Sequence, residues 1–148
     1  MPTTNEELID LLRDVNRGIG KFVKDVLAEH DISIAMGAIT RQIDNDPGVT
    51  ISELARRTGI AKSHISNTIS ELEKRGWVEK KEDAADQRLF HLHLTPTGGG
   101  YLSQVRTDVR KRINELAADV PKEQALAVIE GLSYIKSALD RLREKENT

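Results

Sequence analysis

Apolar residues recur at three- and four-residue steps through most of the chain and alternate with polar ones in one stretch, a pattern that predicts a mainly helical protein with one small β element. Leu8, Leu11, Leu12, Val15, Ile19, Phe22, Val23 and Val26 form the first stripe, a long amphipathic helix ending near Glu29. Thr4 and Glu7 have the spacing of a capping box at its start, in which each side chain satisfies a backbone N–H. Gly18 and Gly20 each weaken this helix by up to ~1 kcal/mol relative to Ala, so tertiary packing must hold it. A second helix is expected from Ser33 to Asn45, with Ile39 and Ile43 facing inward and Met36 as core filler, and Asp46-Pro47-Gly48 stops it.

Thr50 with Glu53 forms another possible capping box, opening a short helix from Ile51 to Arg57 that buries Leu54 and Ala55. Thr58 and Gly59 end it, and Gly59 can take positive φ and turn the chain sharply. The next helix, Lys62 to Arg75, has two faces: Ile65, Ile69 and Leu72 on one, and Ser63, Ser66, Asn67, Ser70 and Lys74 on the other. Two short helices joined by a Gly turn, the second with a small polar outer face, are a helix-turn-helix pattern, although core-packed helical hairpins look similar. Gly76 ends the second helix, Trp77 to Lys81 is expected as a strand, and Leu89 to Thr95 alternates with Phe90, Leu92 and Leu94 on one face. The charged segment from Glu82 to Arg88 is the hairpin tip between them. A helix-turn-helix followed by such a hairpin is a winged helix.

Thr97 begins another helix, carrying Tyr101, Leu102, Val105, Val109, Ile113 and Leu116. Pro121 opens the last one, where Leu126, Ile129, Leu132, Ile135, Leu139 and Leu142 lie at near-heptad spacing. A stripe of that kind needs a partner, either a second subunit or an intramolecular core. The expected fold class is therefore mainly α (α+β), a winged helix-turn-helix between long N- and C-terminal helices.

Composition narrows the chemistry. At 148 residues, with 38% hydrophobic and 31% charged residues, the chain suits one ordinary domain. Aromatics make up only 3%, which argues against single-strand binding by base stacking. The formal charge of −2 does not announce a nucleic-acid partner. Its distribution is more telling: Arg56, Arg57, Lys62, Lys74, Arg75, Lys80 and Lys81 outnumber Glu71, Glu73 and Glu79 between residues 56 and 81. That local surplus is compatible with phosphate contacts and equally with a solvated surface. The absence of cysteine excludes disulfides, thiol redox sensing and thiolate metal sites. No leader-like segment opens the chain and no stretch has the ~20 apolar residues that span a bilayer, so a cytoplasmic protein without membrane contact is expected.

The order of short motifs is more specific than any one of them. Thr50-Ile51-Ser52-Glu53-Leu54-Ala55, Leu72-Glu73-Lys74-Arg75-Gly76-Trp77-Val78, Asp86-Gln87-Arg88 and Leu94-Thr95-Pro96-Thr97-Gly98 resemble the signatures of the MarR family of transcription regulators. Gly98-Gly99-Gly100 departs from the family pattern of one Gly followed by helix formers, which predicts a flexible or closely approached first turn. The resemblance implies a single unit over 1–148, with a DNA-binding module at 49–95 and dimerisation helices at 1–30 and 97–148. It implies a homodimer on double-stranded DNA, acting at a pseudo-palindromic operator, with repression as the expected sense of regulation. It also implies a small anionic or aromatic effector, bound where each winged module meets the dimerisation helices.

By position in the resemblance, Lys62, Ser63, His64, Ser66 and Asn67 face the major groove. Asn67 can offer adenine a donor and an acceptor together, and Lys62 can reach guanine or a phosphate. Ala61 stands where the family often has a capping Ser or Thr, a loss worth ~1 kcal/mol. Arg88 at the hairpin tip suits a narrow minor groove, with Asp86 orienting its guanidinium; the bland alternative is an exposed salt bridge of under ~1 kcal/mol. Lys80, Lys81, Arg56 and Arg57 are candidates for phosphate contact, with Arg57 and Lys81 preferred.

His91 and His93 share a strand face as two metal ligands would, but no third ligand is placed by sequence, so exposed wing positions are expected and no metal. His30 is expected to be structural. No cofactor and no catalytic set is legible. Ser63 and His64 are adjacent on one helix and cannot pair as nucleophile and base, and the glycine triplet lacks the Lys that follows in a phosphate-binding loop. An alternative of another class, a winged helix that binds protein instead of DNA, would more often expose an apolar or aromatic anchor on that helix.

Overall fold

The computed structural model describes all 148 residues. Its elements are α1 (Thr4–Glu29), α2 (Ile34–Asn45), α3 (Ile51–Thr58), α4 (Lys62–Lys74), β1 (Val78–Glu82), β2 (Phe90–Leu94), α5 (Pro96–Ala117) and α6 (Lys122–Glu146). They are those expected, with ends displaced by one or two residues. Residues 1–109 and 110–148 form two compact units.

The capping box of α1 lies one residue earlier than the Thr4–Glu7 pair. Thr3 Oγ1 accepts the Glu6 N–H at 3.2 Å, and Glu6 Oε2 accepts the Thr3 N–H at 2.7 Å. Two overlapping Thr-x-x-Glu registers exist here, and the earlier one wins by letting Thr4 join the helix. The Thr3 backbone N–H holds the Glu6 carboxyl below its ordinary pKa. Similarly, Ser33 is the cap of α2 instead of its first residue, its hydroxyl accepting the Met36 N–H at 3.1 Å.

In the first unit the core lies beneath α2, α3, α4 and the hairpin. Ile39, Ile43, Leu54, Ile65, Ile69 and Leu92 are fully enclosed there, each burial contributing roughly 1.5–3 kcal/mol. Met36 is buried in the same cluster. The hairpin pairs antiparallel from Val78↔Leu94 to Glu82↔Phe90. The turn after α2 adds an isolated bridge, Val49↔Leu92, and Gly48 N–H donates to the Leu92 carbonyl at 2.8 Å. The base of the wing is thereby stitched to the helices.

Gly98 explains part of the glycine triplet. A Cβ there would lie 2.3 Å from the Trp77 carbonyl oxygen, whereas Gly99 and Gly100 have open space. The first turn of α5 is closely approached at one residue only. Thr95 holds that approach: its hydroxyl donates to the Gly76 carbonyl and accepts the Gly98 N–H at 3.1 Å. Trp77 stacks on Tyr101 at 4.6 Å between ring centroids, and Tyr101 Oη donates to the His30 carbonyl at 2.8 Å. His30 Nε2 lies 2.8 Å from Asp108 Oδ2.

The N-terminal part of α1 is a different case. Leu8, Leu11, Val15 and Ile19 are exposed, and Val26 is the one residue of that helix that is buried. In the second unit, α6 buries nothing: Leu126, Ile129, Leu132, Leu139 and Leu142 are 47–60% exposed.

Candidate nucleic-acid interface

The geometry of the helix-turn-helix follows from its punctuation. Thr50 caps α3 by accepting the Glu53 N–H at 3.3 Å. At the other end Gly59 adopts φ +72°, a left-handed conformation that favours glycine, and its N–H returns to the Ala55 carbonyl at 3.0 Å. Thr58 Oγ1 donates to Leu54 O at 2.6 Å and accepts the Ile60 N–H at 3.2 Å, closing the turn. Ala61 is extended and gives α4 no side-chain cap. Arg75 ends α4, and Gly76 at φ +74° releases the chain into the wing.

On α4 the inward face is fully buried and the outward face is exposed. Lys62, Ser63, His64, Ser66 and Asn67 all lie on that outward surface. Ser70 Oγ donates to the Ser66 carbonyl, and Thr68 Oγ1 donates to the His64 carbonyl, so the hydroxyls nearest the helix satisfy its own backbone. No large apolar side chain interrupts the outward face.

At the hairpin tip, Asp83 Oδ1 accepts the N–H groups of Ala85 and Asp86 at 2.9 and 3.1 Å. Asp86 Oδ1 accepts the Arg88 N–H at 3.0 Å and Nε–H at 3.3 Å. The Arg88 side chain is 92% exposed, so its guanidinium is oriented at one edge and open at the other. The flanking cations are less equal. Arg57 lies 2.8 Å from Asp46 and 3.7 Å from Glu53, so a phosphate must compete with two carboxylates for it. Lys81 is 61% exposed and 3.6 Å from Glu79. Lys80 lies 3.3 Å from Glu73 and over the Phe90 ring, while Arg56 is exposed on α3.

His91 and His93 are not the exposed wing residues expected. Both are half-buried, because the α2–α3 turn lies against the face of β2 that carries them. His91 Nδ1 is 2.7 Å from the Gly48 carbonyl and Nε2 is 2.7 Å from Asp83 Oδ2. No cluster of three or more His, Cys, Asp and Glu residues is arranged to hold a metal ion.

Sequence reasoning counted Arg75 only among the local basic residues and assigned it no role of its own. Its guanidinium donates to the Asp31 carbonyl at 2.7 Å, approaches Glu71 at 3.1 Å and covers the Trp77 ring at 5.1 Å. It borders a cleft of about 280 Å³ lined by Ala28, Asp31, Ile32, Ser33, Met36, Glu71 and Arg75. Asp31, with φ +57°, is the one non-glycine residue in the left-handed region, a local signal that spacing alone does not reveal.

Helix-turn-helix, stitched hairpin and exposed polar helix define a winged helix-turn-helix protein. A MarR family model matches residues 39–89, which run from α2 to the hairpin tip. The transcriptional repressor MprA of Escherichia coli K12 is 34% identical over 73 residues, 49% of this chain and 42% of that protein, so the match spans less than half of that relative. The regulator TcaR of Staphylococcus aureus (strain Newman) is 28% identical over 132 residues, 86% of this chain and 87% of that one. Staphylococcus aureus MarR, solved in complex with salicylate and kanamycin, has the same fold at a TM-score of 0.78, with 23% identity and 93% of each chain covered. The winged-helix region of the chain thus matches the MarR family, and the named relatives it resembles are transcription regulators.

Proposed function

We propose that the protein is a sequence-specific DNA-binding transcription regulator that works as a homodimer, most simply as a repressor released by a small ligand. The observation that carries this reading is the outward face of α4, polar and exposed, beside an Arg88 that Asp86 orients at the wing tip. Residues 49–95 are the DNA-binding module; Lys62, Ser63, His64, Ser66 and Asn67 enter the major groove, and Arg88 enters the flanking minor groove. Residues 1–30 and 97–148 supply the dimer, which covers the apolar faces that α1 and α6 leave exposed.

Two recognition helices related by a twofold axis read half-sites about one helical turn, ~34 Å, apart. An anionic or aromatic effector suits the Arg75 cleft, where it competes with Asp31 and Glu71 for the guanidinium at the C-terminal end of α4. Salicylate in the structure of the Staphylococcus aureus relative supports that ligand class.

Selection of duplex DNA from a random pool by the purified protein tests the reading. Recovery of an inverted repeat is expected. Salt-sensitive binding without sequence preference, or capture of no DNA at all, overturns it. Arg88→Ala is expected to weaken binding to the selected site by about 1–3 kcal/mol.

A further inference from the structure

The wing tip hangs on a histidine that faces two acceptors. Gly48 offers only its carbonyl oxygen to His91 Nδ1, and Asp83 offers a carboxylate oxygen to Nε2, each at 2.7 Å. A neutral imidazole carries one N–H and satisfies one of these; satisfying both requires the imidazolium, in which each ring nitrogen donates. We propose that His91 is an imidazolium strap that fastens the wing tip to the α2–α3 turn, so that affinity for DNA falls when this proton is lost. The DNA part of the inference rests on the function proposed above.

The strap joins two groups that already have structural duties. At one end, the Asp83 carboxylate shapes the tip by accepting the Ala85 and Asp86 N–H groups, and Asp86 in turn holds Arg88. At the other, Gly48 sits in the turn whose backbone bridges to Leu92. Gly48, His91, Asp83, Asp86 and Arg88 thus form one continuous set of hydrogen bonds from the helices to the groove-seeking arginine. Loss of the proton sets a ring lone pair against an oxygen lone pair at one of the two contacts, and the tip loses its tie.

The charges around the ring favour the cation on balance. Asp83 at the tip and Glu53 on α3 support it. Lys81, its cross-strand partner, opposes it but is itself paired with Glu79 at 3.6 Å. His93 lies two residues along the same face, opposite Glu79, and Asp46 beyond the turn is engaged by Arg57 at 2.8 Å. Chiefly through the hydrogen bond to Asp83, His91 titrates above the ordinary histidine value. Chiefly through His91, the Asp83 carboxyl is lowered to about 2.

The signs follow from those directions. A raised histidine pKa gives a contribution complete below the unfolded value of about 6.5 and lost as pH rises through the folded value. A lowered aspartate pKa gives one complete above about 3.9 and lost only as pH falls through the folded value. The strap is therefore closed from mildly acidic pH up to the pKa of His91, and opens on the alkaline side.

Ring nitrogen-15 spectra of the DNA-free protein test the strap directly. Both His91 nitrogens are expected to be protonated at neutral pH, with Asp83→Asn lowering the pKa. Amide protection at Ala85 and Asp86, corrected for intrinsic exchange, should drop as His91 titrates and be low at every pH in His91→Gln. A neutral His91 at that pH, or tip protection indifferent to its titration, overturns the strap.

DNA binding is then followed between about pH 6 and pH 8.5 in a His64→Gln background, since His64 places a second imidazole on the proposed groove face. A fall of roughly fivefold is expected, the lower end of usual coupling between sites, absent in both His91→Gln and Arg88→Ala. An undiminished fall in either variant overturns the coupling while leaving the DNA reading intact. A strap confirmed by the spectra in a protein that binds no DNA at any pH instead overturns the DNA reading and, with it, the coupling.

Discussion

Helices α4 and α6 carry apolar side chains at the same helical steps and meet opposite fates. In α4, Ile65, Ile69 and Leu72 are completely enclosed by α2, α3 and the hairpin, and the helix is 13 residues long. In α6, 25 residues long, no side chain is buried. A helix gains little from its own hydrogen bonds in water, so its persistence depends on covering its apolar face. The difference shows that periodicity reports that a face wants cover and is silent on what supplies it. For α4 the cover comes from the same chain, and for α6 the proposed cover is a second copy.

The largest effects test that division. Leu54→Ala removes an enclosed side chain beside α4 and is expected to cost about 2–5 kcal/mol of stability, read as a lower denaturant midpoint at every protein concentration. Leu132→Glu with Leu139→Glu removes nothing enclosed in the protomer. It is expected to shift the mass in sedimentation from dimer to monomer and to abolish high-affinity binding to an inverted repeat, because one module alone covers one half-site. A double variant that still sediments as a dimer would break the comparison, since α6 would then be uncovered for some other reason.

The same contrast explains how much was legible beforehand. The helices, the hairpin and their order follow from period, caps and glycines, and the buried face of α4 was readable because its three apolar residues stand among short polar ones. The exposed residues at the interface were readable for the complementary reason: nothing apolar competes for that face. What escaped were contacts between residues far apart in sequence. Arg75 reaches Asp31, 44 positions away, and His91 reaches Gly48, 43 positions away. Neither partner is fixed by local pattern, and each is created when the turn after α1 or α2 packs against an element that comes later. The misplacement of the α1 cap by one residue has a local cause, two Thr-x-x-Glu registers of equal spacing.

A smaller effect is expected at the glycine triplet, where the close approach distinguishes neighbours that look identical in sequence. Gly98→Ala must push a Cβ against the Trp77 backbone and is expected to destabilise by about 1–3 kcal/mol. Gly99→Ala, with open space around it, should instead stabilise α5 by up to about 1 kcal/mol. Thermal melts of the two variants side by side read the difference, and equal shifts would mean that the backbone of Trp77 is not the constraint.

A further small effect is expected at the start of α4. Its first turn is the least supported part of the buried helix, because Ala61 accepts no backbone N–H and Lys62 places a cation at the positive end of the helix dipole. Ala61→Ser supplies the missing acceptor at an extended residue already suited to it, and should stabilise by about 0.5–2 kcal/mol, or roughly 1–8 °C in a chain of this size. Ala61→Asp should match or exceed that gain in the free protein through its charge, while adding a carboxylate beside the proposed path of a phosphate. Serine and aspartate therefore separate the two demands on this turn. If α4 reads DNA, the serine variant keeps or improves affinity and the aspartate variant loses it despite equal stability; if both bind alike, the N-terminal turn of α4 lies away from the phosphates and the groove is read by later residues such as Asn67.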